Sequence, residues 1–229
     1  PALVMLNKFP YVNGHLLVVN RTAPSVFVLD AATGADLNQL SVSGISGGTY
    51  PLLMIGVADD GAVYAGNLTT TSVTPPFTLY RWANDSAGTT PTVAFSGNPT
   101  AGNSQRYGDT IDVRGAGANT QVILGSRHST NAVVFTTTDG ATFSASNIKV
   151  ADAPGESFGL GIAFGPTNTF WGKKPTLALR QASFNLPSGT GATLHAYADP
   201  AFPSAVGPIG VSTQLNLLAG INVGAANNH

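Results

Sequence analysis

The segment Arg106-Tyr107-Gly108-Asp109-Thr110-Ile111-Asp112-Val113-Arg114 concentrates four charges in a chain whose charged residues make up only 9% of the total. Guanidinium and carboxylate groups beside a phenol suit a polar ligand such as a sugar, because hydroxyls take paired hydrogen bonds while the apolar ring face stacks on an aromatic. Arg106, Tyr107 and Asp109, with Tyr50 and Glu156 from corresponding positions elsewhere in the chain, are the expected ligand-binding set. Glycoside hydrolysis would need two carboxyl groups about 5–5.5 Å or about 6.5–9.5 Å apart, and Asp109, Asp112 and Glu156 are the carboxylates that could serve. Period-two alternation puts Thr110, Asp112 and Arg114 on one side of a strand and Asp109 on the other, which predicts an ion pair between Asp112 and Arg114. The competing reading is structural: the same charges lock neighbouring sheets together through hydrogen bonds. No cofactor is expected. A structural calcium on Asp109 or Asp112 and backbone carbonyls fits the geometry, although the acidic loop of a dedicated calcium site is missing.

Other motifs offer less. Gly44-Ile-Ser-Gly-Gly48 matches a nucleophile-elbow pattern around Ser46, but that chemistry needs a helix after the turn, and residues 50–57 read as a strand. His15, His128, His195 and His229 are isolated, with no carboxylate beside them in a recognisable arrangement. Gly115-Ala-Gly117 precedes a strand, so a dinucleotide site fails its context. Asp30-Ala-Ala-Thr-Gly34 reads as a turn in which aspartate bonds its own backbone and glycine takes positive φ. Tyr80, Trp82 and Trp171 lie on strands and read as packing aromatics.

The elements that must hold these residues are strands. Apolar positions at helical spacing are almost absent, while short β-branched and aromatic runs recur between Gly, Asn, Asp and Pro. Leu17, Val63, Ile123, Phe170 and Leu217 occupy equivalent places at intervals of 46, 60, 47 and 47 residues, the long interval carrying insertions at 69–76 and 84–91. A recurrence of about 40–50 residues with four strands per unit predicts an all-β chain, a β-propeller of four-stranded blades. The expected single domain, 1–229, has blades at 1–48, 49–104, 105–153, 154–205 and a partial one at 206–229. The first unit lacks a clear innermost strand unless 3–6 supplies it, and the fifth lacks its outer two.

Composition excludes several classes. The 229 residues contain 43% apolar side chains and no cysteine, so disulfide staples, thiolate zinc sites and a cysteine nucleophile are ruled out. Ten Lys and Arg against eleven Asp and Glu leave a charge of −1, which offers no footprint for nucleic acid. Nowhere do about 20 consecutive apolar residues occur, so no spanning helix and no membrane insertion are expected. Residues 1–10 lack the features of a signal peptide, so the chain begins either mature or mid-protein. Twenty-seven Gly, fifteen Pro and one Glu give the composition of a bacterial secreted β protein, extracellular or periplasmic.

The stretches "GVADDGAVYAGNLTT", "FTLYRWAND", "PTVAFSG", "RYGDTIDVRGAGANTQVILGS" and "GIAFGPTNTFWGK" resemble a bacterial family of secreted propeller-like domains of unknown function, with YVTN- or NHL-like repeats. The likeness covers nearly the whole chain. A further segment usually follows "LLAGIN" in that family, so the resemblance favours a C-terminally truncated chain, whose partner is the remainder of a larger chain or a second protomer, over a complete ring of about five blades closed by residues 1–6. "DAATG" is similar to the outer-hairpin turn of tryptophan-docking and YVTN-type propellers, and "TTTDGATF" at 136–143 resembles the Asp-box of sialidase-like propellers with Phe143 in place of Trp. The resemblance implies the fold and an extracytoplasmic setting, and carries no catalytic residue. The expectation is an extracellular module binding glycans or other polar ligands at a central funnel. The alternatives are a glycoside hydrolase, lyase or other hydrolase using the funnel carboxylates, and a structural segment of a larger surface protein.

Overall fold

Most strands form where β-branched and aromatic residues recur over four to eight positions, and most turns where Gly, Asn or Asp interrupts them. A computed structural model describes residues 11–70, 75–100, 105–125, 131–150, 161–165, 168–173, 180–184, 186 and 190–196. The first sheet holds β1 (Tyr11–Val12), β2 (His15–Asn20), β3 (Ser25–Asp30) and β4 (Asp36–Leu40). In the second are β5 (Tyr50–Val57), β6 (Val63–Leu68), β7 (Phe77–Trp82) and β8 (Thr92–Gly97). The third comprises β9 (Thr110–Arg114), β10 (Gln121–Gly125), β11 (Asn131–Thr137) and β12 (Phe143–Val150). The fourth comprises β13 (Gly161–Phe164), β14 (Thr169–Lys173), β15 (Arg180–Phe184) and β16 (Thr190–Ala196). Within each group the strands follow one another antiparallel in chain order. There is no α-helix among the described residues, only a 3₁₀ turn at Gly117–Asn119.

Three details differ from the sequence expectation. The inner strand of the first sheet is Tyr11–Val12, paired with Leu16 and His15, whereas residues 3–6 lie outside the described residues, as does the whole fifth unit. The third and fourth sheets are also not separate. Their outer strands meet in parallel, Lys149 with Thr190 and Val150 with Gly191, giving one eight-stranded sheet. The reason is that β12 is the last strand of its group: its edge away from β11 has no partner within the group, and β16 takes up its final two residues. Finally, the insertion after Trp82 is a strap. Ser41 donates its backbone N–H to the Thr89 carbonyl at 3.0 Å, and Gly88 donates to Gln39 at 3.3 Å, so this loop covers the edge of β4.

Consecutive sheets pack face to face over separate apolar layers. Leu17, Val19, Val26 and Val28 meet Leu52, Val63, Tyr80 and Trp82 between the first two sheets. Tyr64, Phe77 and Leu79 meet Ile111, Val113, Val122 and Phe135 between the second and third. Ile123, Val134 and Ile148 meet Ile162, Phe164 and Phe170 between the third and fourth. The first strands β5, β9 and β13 lie side by side. Four-stranded antiparallel sheets packed in series, the first strands of the second to fourth adjacent and β2 of the first against β5, make a propeller-like β fold. Tyr80, Trp82 and Trp171 are all buried in it, as packing aromatics must be. The outward face of the first sheet differs: Leu16, Val18, Phe27 and Leu29 are only partly buried.

Outer hairpins are closed by aspartates. Asp30 Oδ1 accepts the backbone N–H of Ala32 and Thr33 and the Thr33 hydroxyl at 2.7–3.0 Å. Asp139 Oδ1 does the same for Ala141, Thr142 and the Thr137 hydroxyl, each at 2.8 Å. These donors favour the ionised form, so the Asp139 carboxyl is held well below its ordinary value of 3.8 by backbone bonds to Thr142 and Ala141 first. A folded-state pKa below the unfolded one stabilises the fold above pH 3.8 and loses that contribution as the pH falls through the folded value. Asp139→Asn is therefore expected to melt below the wild type at pH 5, with the gap closing as titration proceeds below pH 3.8. Thermal melts of both proteins over that range check it, and a gap independent of pH would contradict it.

Candidate functional site

The loop that enters β9 is pinned before it reaches the strand. Tyr107 exchanges two backbone hydrogen bonds with Thr69, both 2.9 Å, at the end of β6. Gly108 then turns with φ of +107° directly against the backbone of Asn67 and Leu68. A matching approach precedes β5, where Gly48 at φ +73° lies against the Leu68 carbonyl and Thr49 donates to that same carbonyl at 2.7 Å. Two connections thus converge on one end of β6, and they carry Tyr50 and the Arg106–Asp109 segment to the same end of the molecule.

Arg106 and Asp109 form a bidentate ion pair there. The guanidinium Nε donates to Oδ2 at 2.7 Å and one terminal nitrogen donates to Oδ1 at 2.6 Å. The arginine side chain is 21% exposed and the aspartate 8%. The bond to Asp109, with a smaller contribution from the nearby Tyr50 phenol, holds the guanidinium above its ordinary pKa against burial. Arg21, in the loop after β2, lies over the Tyr50 ring with 4.9 Å from its Cζ to the ring centroid. Three sheets therefore contribute to this cluster: the first gives Arg21, the second Tyr50, and the approach to the third gives Arg106 and Asp109. Arg21 was not foreseen, and nothing local to it signals the role, since it depends on the β2–β3 loop meeting the start of β5.

Tyr107 is placed differently. Its ring is wholly buried in the core between the second and third sheets, 6.3 Å from Phe77 in an edge-to-face arrangement, and its hydroxyl donates to Gln105 Oε1 at 3.1 Å. Burial pushes its phenol far up. The Tyr107 side chain packs the loop and is not offered to a ligand, because its neighbour Arg106 points out while alternation turns Tyr107 in. Glu156 lies outside the described residues.

Asp112 and Arg114 occupy the face of β9 that alternation assigned, toward the fourth sheet, but they do not pair with each other. Asp112 is buried, its Oδ1 accepting the Val113 N–H at 2.9 Å and its Oδ2 the Phe164 N–H at 2.8 Å. Arg114 donates to Gln121 Oε1 at 2.8 Å and to the Gly165 carbonyl at 3.1 Å, and its guanidinium stacks 4.1 Å from the Phe164 ring centroid. Both clasp the third sheet to the fourth, so the structural reading holds for this pair and the expected ion pair does not form. Asp59 and Asp60 do likewise across the second and third sheets, accepting the N–H of Gly115 at 3.0 Å and of Gly117 at 2.8 Å. The N–H groups that a phosphate would need at 115–117 are thereby occupied.

Ser46 is no nucleophile elbow: its backbone carbonyl accepts the Tyr80 hydroxyl at 2.9 Å, and β5 follows where a helix would be required. His15 does have a carboxylate partner, 70 residues away in sequence: its Nδ1 lies 2.6 Å from Asp85 Oδ2, on the strap that covers the first sheet. The oxygens of Asp109 and Asp112 already receive N–H donors, so a calcium ion there would have to displace them. No group of three or more His, Asp or Glu suited to a metal occurs among the described residues, and no helix among them is long and apolar enough to cross a membrane.

No family model and no curated protein matches the sequence. A DUF4623 family protein from Bacteroides eggerthii has a similar solved structure, with a TM-score of 0.61 and 19% identity over 83% of this chain. The chain spans 45% of the length of that protein. At this identity the likeness speaks for the propeller-like β fold alone. The PQQ-bound aldose sugar dehydrogenase of Streptomyces coelicolor aligns over 88% of this chain and 85% of its own at 15% identity, and its TM-score of 0.36 is too low to support any argument.

Proposed function

We propose that the chain is an extracellular binding module that retains a glycan or comparable polar ligand at the mouth formed by Arg21, Tyr50, Arg106 and Asp109. The observation that supports this most is the convergence of charged and aromatic side chains from three sheets at one end of the fold, on connections that backbone N–H hydrogen bonds hold in place. Groups held before the ligand arrives lose little freedom when it binds, which is how a small set of polar contacts yields useful affinity. The carboxylates favour binding over hydrolysis. Asp112 is spent on two backbone N–H groups and Asp109 on the fork of Arg106, so neither stands ready to donate or accept a proton at a glycosidic bond.

A panel of soluble polysaccharides, measured for retention and by mass spectrometry for product, tests the reading. Wild type is expected to retain a member of the panel without turnover. Arg106→Ala takes a charged donor from the mouth and leaves Asp109 without its partner; a hydrogen bond to a charged group is worth about 1.5–3 kcal/mol, so a loss of about tenfold or more in affinity is expected. Product formation abolished by Asp109→Asn with affinity intact would instead establish the hydrolase, and the absence of any retention would end the proposal.

A further inference from the structure

Resting on the reading that this mouth binds a glycan, we infer that the ligand is an acidic one, a carboxylate-bearing sugar whose carboxylate is taken by Arg21. Of the arginines whose side chains are described, Arg81 reaches the Tyr64 hydroxyl, Arg106 reaches Asp109, and Arg114 reaches Gln121 and the Gly165 carbonyl. Arg21 alone among them has no oxygen partner within the described residues; its one recorded contact is the face of Tyr50.

A guanidinium laid on an aromatic ring is oriented without using its N–H groups, so the donor fork remains free and already placed. Its loop is also set in advance, because Asn20 Oδ1, just before it, accepts the backbone N–H of Thr22 at 3.0 Å and of Ala23 at 3.3 Å, just after it. Planar carboxylates match that fork in two parallel bonds. The mouth already contains such a pair in Arg106 and Asp109, and a ligand carboxylate on Arg21 would form its counterpart across Tyr50. Among the described residues, two guanidinium groups and one carboxylate give the mouth a surplus positive charge in a chain of net charge −1, so the preference for an anion is local to this site rather than a property of the whole surface.

The experiment compares oligouronates of the galacturonate, glucuronate and mannuronate series, their methyl esters and a sulfated polysaccharide, binding to wild type, Arg21→Gln and Arg106→Ala at low and high salt. Wild type is expected to bind at least one oligouronate about tenfold more tightly than its methyl ester, with the preference weakening in salt. Arg21→Gln is expected to lose that tenfold on the acid, to bind the ester as wild type does, and to melt at the wild-type temperature. Equal binding of acid and ester, or an Arg21→Gln variant that keeps the preference, overturns the acidic ligand while leaving the glycan reading in place. A sulfated ligand that outcompetes every uronate in an Arg21-dependent way overturns the carboxylate. Binding of none of the uronates overturns this inference, and failure of the neutral panel as well overturns the reading beneath it.

Discussion

Alanine at position 108 is expected to destabilise the protein by about 3 kcal/mol or more, since a residue forced into positive φ costs about 1–3 kcal/mol and a backbone clash adds to it. Gly108 sits at φ +107°, and a β-carbon there would run into the Asn67 carbonyl and the Leu68 α-carbon. Neither neighbour can rotate away, because both belong to β6 and the adjoining Thr69 is itself bridged to Tyr107. At about 2–4 °C of Tm per kcal/mol for a chain of this size, a drop of about 6 °C or more should be visible in a thermal melt. Gly34→Ala is the control. It has φ of +74° with nothing within 4 Å, so it carries the conformational cost without the clash. Equal losses for the two variants would show that the approach to β6 is not as close as described. Because Gly108 also sets the Arg106–Asp109 pair, ligand retention should fail together with stability.

Trp82→Ala is the second large effect, with an expected loss of about 3–5 kcal/mol. Its ring is fully buried between the first and second sheets among Leu17, Val26, Val63 and Tyr80, and its indole N–H donates to the Ser41 carbonyl at 2.8 Å. Removing it takes away both the filling and the bond that joins the end of β4 to the second sheet. Trp82→Phe separates the two, because it keeps most of the apolar volume and leaves the Ser41 carbonyl unpaired, at about 1–3 kcal/mol. Chemical denaturation of the three proteins gives the comparison. A phenylalanine variant as stable as wild type would assign the whole effect to packing.

The strands were legible because their signal is local. β5 spans the residues 50–57 that read as a strand, β9 forms at 110–114 where alternation places one, and the aspartate turns at Asp30 and Asp139 form as their residue types require. Alternation along β9 was correct as well, with Ile111 and Val113 turned toward the second sheet and Asp112 and Arg114 toward the fourth. The partners of those side chains were not legible. Asp112 and Arg114 lie two residues apart on one face, and a sequence reading pairs them; in the fold a backbone N–H and a carbonyl from β13 and its turn compete more strongly, because leaving those buried groups unpaired is costly.

Local chain chemistry therefore determined where most strands run, how side chains alternate along β9, and that charge gathers at 106–114. Tertiary structure alone decided which of those charges remain available to a ligand, which are consumed between sheets, and that Arg21 and Tyr50 join Arg106. Strand formation is governed by neighbours a few residues apart, whereas a contact such as that between Arg21 and Tyr50 depends on how two sheets stack, a geometry set by the summed burial of many apolar side chains rather than by either residue.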